Sequence, residues 1–250
     1  MTHTIVLGDG LLGRAVADAL RTRGERVDLR GRPAGGRHDP ASLAGADAIV
    51  DASRADAVAP NVEAGLEAGC RSFAIATTGW QADLERVAGA LRRSGAVAVV
   101  APNLALGAAL FLRLVDEAAR LAGALGGFEP SVLEWHRRSK ADRPSGTARE
   151  IVRRLAVGVP IDVDEVAVLR SGSMPGMHVV GLDGSSETIE LRLSARDRSG
   201  YAAGALAAVD WLRSAPRTPG IHPFDEVVDE RIAAHRPAPS SAHEPVGATA

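Results

Sequence analysis

The densest concentration of chemistry-capable side chains lies between Glu134 and Ala148, in Glu134-Trp-His136-Arg137-Arg138-Ser-Lys140-Ala-Asp142-Arg-Pro144-Ser145-Gly146-Thr147-Ala148. His136 closes an apolar, strand-like run and can exchange a proton near neutral pH. Arg137, Arg138 and Lys140 put positive charge within four residues. Ser145-Gly146-Thr147 opens a helical pattern, and Thr147-x-x-Glu150 fits a capping box. A helix N-terminus presents unpaired N–H groups and the positive end of a dipole, which suits a carboxylate. The segment therefore predicts a small anionic substrate held beside a proton donor. Lysine and arginine total 29, and the only lysine is Lys140. In a chain that otherwise uses arginine, that lysine invites a chemical explanation.

A second group sits at the N-terminus. Gly8-Asp9-Gly10-Leu11-Leu12-Gly13 separates a short apolar run, Thr4–Leu7, from an amphipathic helical stretch. Glycines in this strand–turn–helix setting let the backbone turn tightly and let a pyrophosphate approach the helix end. Asp28 stands near the distance at which an acid usually binds the ribose. The strand predicted at Arg26–Leu29 places Arg30 at its end and Arg32 close behind, and guanidinium groups there suit a 2′-phosphate. The expected cofactor is NADPH, with NADH as the alternative.

The elements that must position these groups follow from periodicity. Short apolar runs at Ala46–Ser53, Ser72–Ala76 and Ala96–Val100 alternate with helical patterns at Pro60–Ala68 and Gln81–Arg93, which predicts a parallel sheet with helices on both faces. The rhythm changes after residue 103. A long helix is expected at Leu106–Leu125, a strand at Val132–His136 and a helix from about Thr147 to Ala156. Strand-like runs follow at Val163–Ser171 and Thr188–Ala195, with His178–Gly181 between them, and a helix covers Gly200–Leu212. The expected fold is α/β: a Rossmann-type parallel-sheet domain at 1–103, completed by about 214–236, and an α+β substrate-binding and oligomerisation domain at 104–213. Residues 237–250 are Pro/Ser/Ala-rich without periodicity and are expected to be disordered.

Composition narrows the class. An apolar fraction of 46% and a formal charge of −2 describe an ordinary globular chain with no strong field for nucleic acid or anionic lipid. Aromatic content of 3% argues against base-stacking platforms. One cysteine, Cys70, excludes an internal disulfide and cysteine-rich zinc sites, and no basic leader or membrane-length apolar run is seen, so a cytoplasmic protein is expected. His3, His38, His136, His178, His222, His235 and His243 show no ligand-like spacing, so no metal site is predicted.

The Glu134–Ala148 segment resembles the dihydrodipicolinate reductase signature E-x-H-H-x-x-K-x-D-A-P-S-G-T-A at Glu134, His136, Lys140, Asp142, Pro144, Ser145, Gly146, Thr147 and Ala148. Further similar segments follow the family's order: Asp51-Ala-Ser53, Ala76-Thr77-Thr78-Gly79-Trp80, Ala101-Pro102-Asn103-Leu104-Ala-Leu-Gly107, Gly176-Met-His178 and Arg198-Ser-Gly-Tyr201-Ala202-Ala-Gly204-Ala205-Leu206. The resemblance implies that His136 is a general acid/base, and that Lys140 is a second proton donor paired with a substrate carboxylate. Gly146 and Thr147 would bind a carboxylate, and Thr78 would lie between nicotinamide and substrate. Gly8 to Gly13, Ala76 to Thr78, and Ala101, Pro102, Asn103 and Leu104 would contact the dinucleotide. It implies hydride transfer to an unsaturated cyclic imine dicarboxylate in lysine and diaminopimelate synthesis, and a homotetramer joined through the second domain's sheet.

Departures fall at meaningful positions. Arg137 replaces the second histidine of the pattern, Arg143 the alanine before proline, Leu104 a phenylalanine, Ala76 a glycine and Leu193 a late histidine. Arginine can hold a carboxylate bidentately but does not readily donate a proton at pH 7. The departures leave open a paralogous reductase acting on another imine or unsaturated acid. A dinucleotide-binding protein without catalysis is a third reading, which His136, Lys140 and Thr147 argue against.

Overall fold

The structure is a computed structural model that describes residues 2–101, 103–197 and 199–235. Two sheets organise the described chain. The first contains β1 (His3–Leu7), β2 (Arg26–Arg30), β3 (Ala48–Asp51), β4 (Ser72–Ile75), β5 (Val97–Val100) and β10 (Gly220–Pro223), all parallel, in the order β10-β5-β4-β3-β1-β2. Alternation along β1 decides the layers: Val6 points to one face, and Ile5 and Leu7 to the other. Helices α2 (Val58–Glu67) and α3 (Leu84–Ser94) bury Val62, Val87 and Leu91 against Ile5, Ile49 and Phe73. Helix α1 (Leu11–Thr22) packs Val16 and Leu20 on the opposite face. His3 and Thr4 are polar yet buried because Asp28 and Gly45 satisfy the first, and Glu25 and Arg213 the second.

The second sheet contains β6 (Glu129–His136), β7 (Ala167–Arg170), β8 (Met177–Asp183) and β9 (Thr188–Ser194), in the order β7-β6-β8-β9. Helices α4 (Leu106–Leu125) and α5 (Gly146–Leu155) cover one face, burying Val115, Ile151 and Leu155 against Val132, Val180 and Leu182. Helix α4 meets the chain just after α5 closely: a Cβ at Gly123 would stand 2.8 Å from the Gly158 backbone. On the other face Leu133 and Leu169 remain exposed. The expected strand from Val163 is shorter, because Val163–Glu165 forms a tight 3-10 turn with a capping box from Asp162 and Glu165.

One boundary differs from the sequence reading. Helix α6 (Ser199–Ser214), expected within the second domain at 104–213, packs on α1, β4 and β5 of the first sheet. Its Ala205, Ala208 and Val209 join Val6, Ala74 and Val99 in one core. Small residues allow that approach: a Cβ at Gly204 would meet the Leu104 carbonyl. Amphipathic periodicity shows that a helix buries a face, not which sheet covers it. After α6 the chain stays with the first sheet: β10 pairs on β5, and α7 (Phe224–Ala234) places Phe224 and Val227 in the same core. The tail expected at 237–250 lies outside the described residues.

Candidate active site

Parallel strands converge on a ligand edge at their C-terminal ends. Gly8 follows β1 at φ +106°, and a Cβ there would stand 2.3 Å from the Ala52 carbonyl oxygen. A Cβ at Gly13 would stand 1.7 Å from the Gly8 carbonyl oxygen, so α1 can press onto the strand only with glycine at that position. Gly10 caps α1 without a side chain, and the space a Cβ would occupy there is empty. The result is an open cradle over the first N–H groups of α1, which suits a pyrophosphate.

Beside it lies a cavity of about 210 Å³, lined by Gly8, Asp9, Gly10, Arg32, His38 and Arg54 among others. Arg30 ends β2, where its side chain shares a strand face with Asp28, two residues back, and pairs with it at 3.5 Å. Arg54 and His38 reach the cavity from loops and carried no local signal. Leu11 is exposed, Leu12 is half-buried against the core beneath the first sheet, and Leu104 is buried in that core.

Strand ends β3 to β5 complete this edge. Asp51 is buried and accepts hydrogen bonds from Ser53, Thr77 and Asn61, which holds the loops after β3 and β4 together. The Ala76 N–H donates to the Asp51 carbonyl, and Thr78 is left exposed at the edge. Ala101 follows β5, and Asn103 accepts from the Ala105 N–H. Pro102, expected at the same edge, lies outside the described residues.

The second group is built on β6. Glu134 and His136 share the face turned toward α5, and the register places His178 of β8 opposite Glu134 and Arg170 of β7 opposite His136. Glu134 is fully buried; both its oxygens accept from the Ser145 N–H, at 3.0 and 3.1 Å, and it pairs with Arg170. Burial alone would raise the Glu134 carboxyl, but the hydrogen bonds from Ser145 and the Arg170 charge hold it below the usual carboxylate range. Burial lowers the His136 imidazole, with Lys140 and Arg170 acting the same way and Glu134 opposing. Burial, then His136, brings His178 down to about 4.

Lys140 is tied to Asp142 at 2.7 Å, and Arg137 is exposed with its Nε donating to Ser139 Oγ. Ser145, not Thr147, caps α5, accepting from the Ala148 N–H. The expected Thr147–Glu150 box therefore does not form; Glu150 lies beyond the third helical position and pairs with Arg153 and Arg154. That frees Thr147, whose Oγ1 lies 3.5 Å from Asn103 Nδ2. This contact joins the helix end beneath the basic loop to the dinucleotide edge.

Donor atoms of Glu134, His136 and His178 lie within 4.8 Å of one another, a gathering that spacing along the chain did not reveal. Within this group Glu134 is also engaged by the Arg170 cation and the Ser145 N–H.

Residues 107–228 match the family described as dihydrodipicolinate reductase, C-terminus. A 4-hydroxy-tetrahydrodipicolinate reductase of Methanopyrus kandleri is 35% identical over 201 residues, covering 73% of this chain and 71% of that protein. The chain belongs to the 4-hydroxy-tetrahydrodipicolinate reductase family. Another relative of that name, from Archaeoglobus fulgidus, is 31% identical and covers 76% of this chain and 79% of its own.

Solved structures agree on the α/β fold. A dipicolinate-bound dihydrodipicolinate reductase from Paenisporosarcina sp. TG-14 superposes with a TM-score of 0.67 at 16% identity, over 89% of this chain and 97% of that one. GenD2 from gentamicin A biosynthesis, in complex with NAD, gives 0.59 at 16% identity, over 91% and 90% of the two chains. The family match spans the second sheet, α6 and β10, so it crosses the division between the two sheets. Among the described residues no helix is long and apolar enough to cross a membrane.

Proposed function

We propose that this chain reduces the unsaturated cyclic imine dicarboxylate of lysine and diaminopimelate synthesis, using a nicotinamide dinucleotide. The observation that carries this reading is the Asn103–Thr147 contact at 3.5 Å, which sets the carboxylate-binding helix end against the dinucleotide edge. The glycine cradle fits a dinucleotide because Gly8 and Gly13 let the strand, turn and helix pack closely, and Gly10 leaves open space over the first turn of α1. When bound, such a cofactor supplies the hydride. The N–H groups of Gly146 and Thr147 at the start of α5 hold one substrate carboxylate, and Lys140 pairs with it from the loop above. Thr78 orients the ring at the end of β4. His136 delivers the proton that completes reduction of the double bond, and Lys140 is a second donor.

NADPH is the preferred form in this reading, because Arg32 and Arg54 both line the cavity beside the cradle. Exposed Leu133 and Leu169 on the open face of the second sheet support assembly into a homotetramer, to be checked by light scattering. The activity test couples purified protein to a synthase that makes the substrate in situ and follows NADPH loss. Turnover is expected; none at micromolar enzyme would overturn the reading.

A second reading, a paralogue reducing a different cyclic imine or unsaturated acid, is favoured by Arg137. Its guanidinium is exposed on the active-site loop where the signature has an imidazole. Turnover with other cyclic imines, shifted by Arg137→His, would support that reading.

A further inference from the structure

A fully buried carboxylate stands directly behind the proton donor. Glu134 receives Arg170 and the Ser145 N–H. Its Oε2 also lies 3.5 Å from His136 Nδ1 and 3.7 Å from His178 Nε2. His136 Nδ1 is buried and has no hydrogen-bond partner at this separation. A buried ring nitrogen without a partner is costly, and catalytic contacts that are long without ligand tighten when substrate binds.

We propose that Glu134 is a positioning residue for His136: its carboxylate holds the Nδ1–H and, through the Ser145 N–H, the first turn of α5, so proton donor and carboxylate site share one buried anchor. This rests on the reading of His136 as the proton donor. The geometry assigns a task to each ring nitrogen. With Nδ1–H turned to Glu134, Nε2 carries the transferable proton. Nε2 lies beside Gly176, where an added Cβ would stand 3.1 Å away, so the missing side chain keeps that nitrogen clear.

The surrounding charges suit this role. Glu134, Arg170 from β7, and Lys140 and Asp142 from the loop all act on His136, and His136 acts in turn on His178 from β8. Among these charges Glu134 favours the imidazolium most strongly, Lys140 and Arg170 disfavour it, and Asp142 favours it weakly. His178, edge-on to His136 with ring centroids 5.2 Å apart, stays neutral near pH 7 and does not compete as a cation for the carboxylate. Its Nε2 meets Ser145 Oγ at 3.3 Å, which closes the cluster on the α5 cap.

The test is histidine-selective 15N NMR on the intact chain, with His136 assigned from a His136→Asn variant, alongside pH–rate profiles. Neutral His136 in the unmutated protein is expected as the Nδ1–H tautomer. In Glu134→Gln its titration should move to lower pH, the alkaline limb of kcat should move with it, and kcat at about pH 8 should fall about tenfold or more with KM for NADPH unchanged. A purely structural role would not move the titration. A folded Glu134→Gln protein with unaltered His136 titration overturns the proposal. If that variant fails to fold, the tautomer of the unmutated protein decides, and an Nε2–H tautomer overturns it. A shifted titration without turnover of the dicarboxylate upholds the positioning role and refutes the proposed substrate.

Discussion

Lys140 Nζ lies 2.7 Å from Asp142 Oδ1, so the chain's single lysine is held by a carboxylate two residues away on the same loop. Both residues precede α5 in the chain, and Asp142 also offers its backbone carbonyl to Arg170. The ammonium is therefore held within the loop by Asp142.

Lys140→Ala should lower kcat by about 100-fold or more, the usual scale for losing a positioned proton donor. Lys140→Arg separates its two roles. Arginine keeps the positive charge, so KM for the dicarboxylate should stay close to its original value while kcat remains low. Steady-state kinetics on both variants would show this. A kcat for Lys140→Ala within threefold or so of the unmutated enzyme would remove the proposed role.

Gly10 and Gly13 should respond in opposite ways to the same substitution. Gly10→Ala adds its methyl into open space, so the melting temperature should hardly change while dinucleotide affinity falls. Gly13→Ala drives the methyl into the Gly8 carbonyl at 1.7 Å, so stability should drop by about 1–3 kcal/mol and binding should be lost with it. Thermal unfolding with fluorescence titration of the dinucleotide distinguishes them. Equal effects of the two variants on stability would contradict the packing described for α1.

Arg32→Ala and Arg54→Ala should each weaken NADPH about tenfold while leaving NADH nearly unaffected, because only the 2′-phosphate gives a guanidinium a charged partner. Arg30→Ala should discriminate less, since Arg30 turns to Asp28. KM values for both cofactors across the three variants test the assignment. A parallel loss for NADH and NADPH would argue for contacts elsewhere on the dinucleotide.

His178 makes folding stability depend on pH. Its folded value of about 4 lies below the ordinary imidazole value of 6.5, so between these limits the unfolded chain binds a proton that the folded chain excludes. Stability from this source is intact above about 6.5 and declines as pH falls toward 4, by about 3 kcal/mol across the window. Glu134, held below the usual carboxylate range, extends the loss as pH falls further, through its folded value. Urea midpoints across this range should flatten in His178→Gln relative to the unmutated protein. Identical slopes in both proteins would mean that His178 is protonated in the folded state.

Contiguous patterns were legible from the chain itself. The β1–glycine–α1 unit could be read because strand, turn and helix follow one another, and each is specified by neighbours a few residues apart. The same holds for the basic loop and the start of α5, where His136, Lys140 and the helix end occupy a single stretch. The finer capping geometry was not legible: Ser145 and Thr147 are both able to cap, and the choice of Ser145 goes with the Glu134 bond to its N–H.

Tertiary structure alone decided the rest. The β6–β8 register places His178 opposite Glu134, and parallel pairing brings Arg170 beside the same carboxylate. Arg54 reaches the cavity from the loop after β3, Asn103 meets Thr147 between the two halves of the site, and α6 settles on the first sheet rather than the second. Short-range spacing sets which face of an element is apolar and where it starts and stops. Register, close helix approach and long-range charge pairing depend on complementarity between segments far apart in sequence, which local periodicity does not encode.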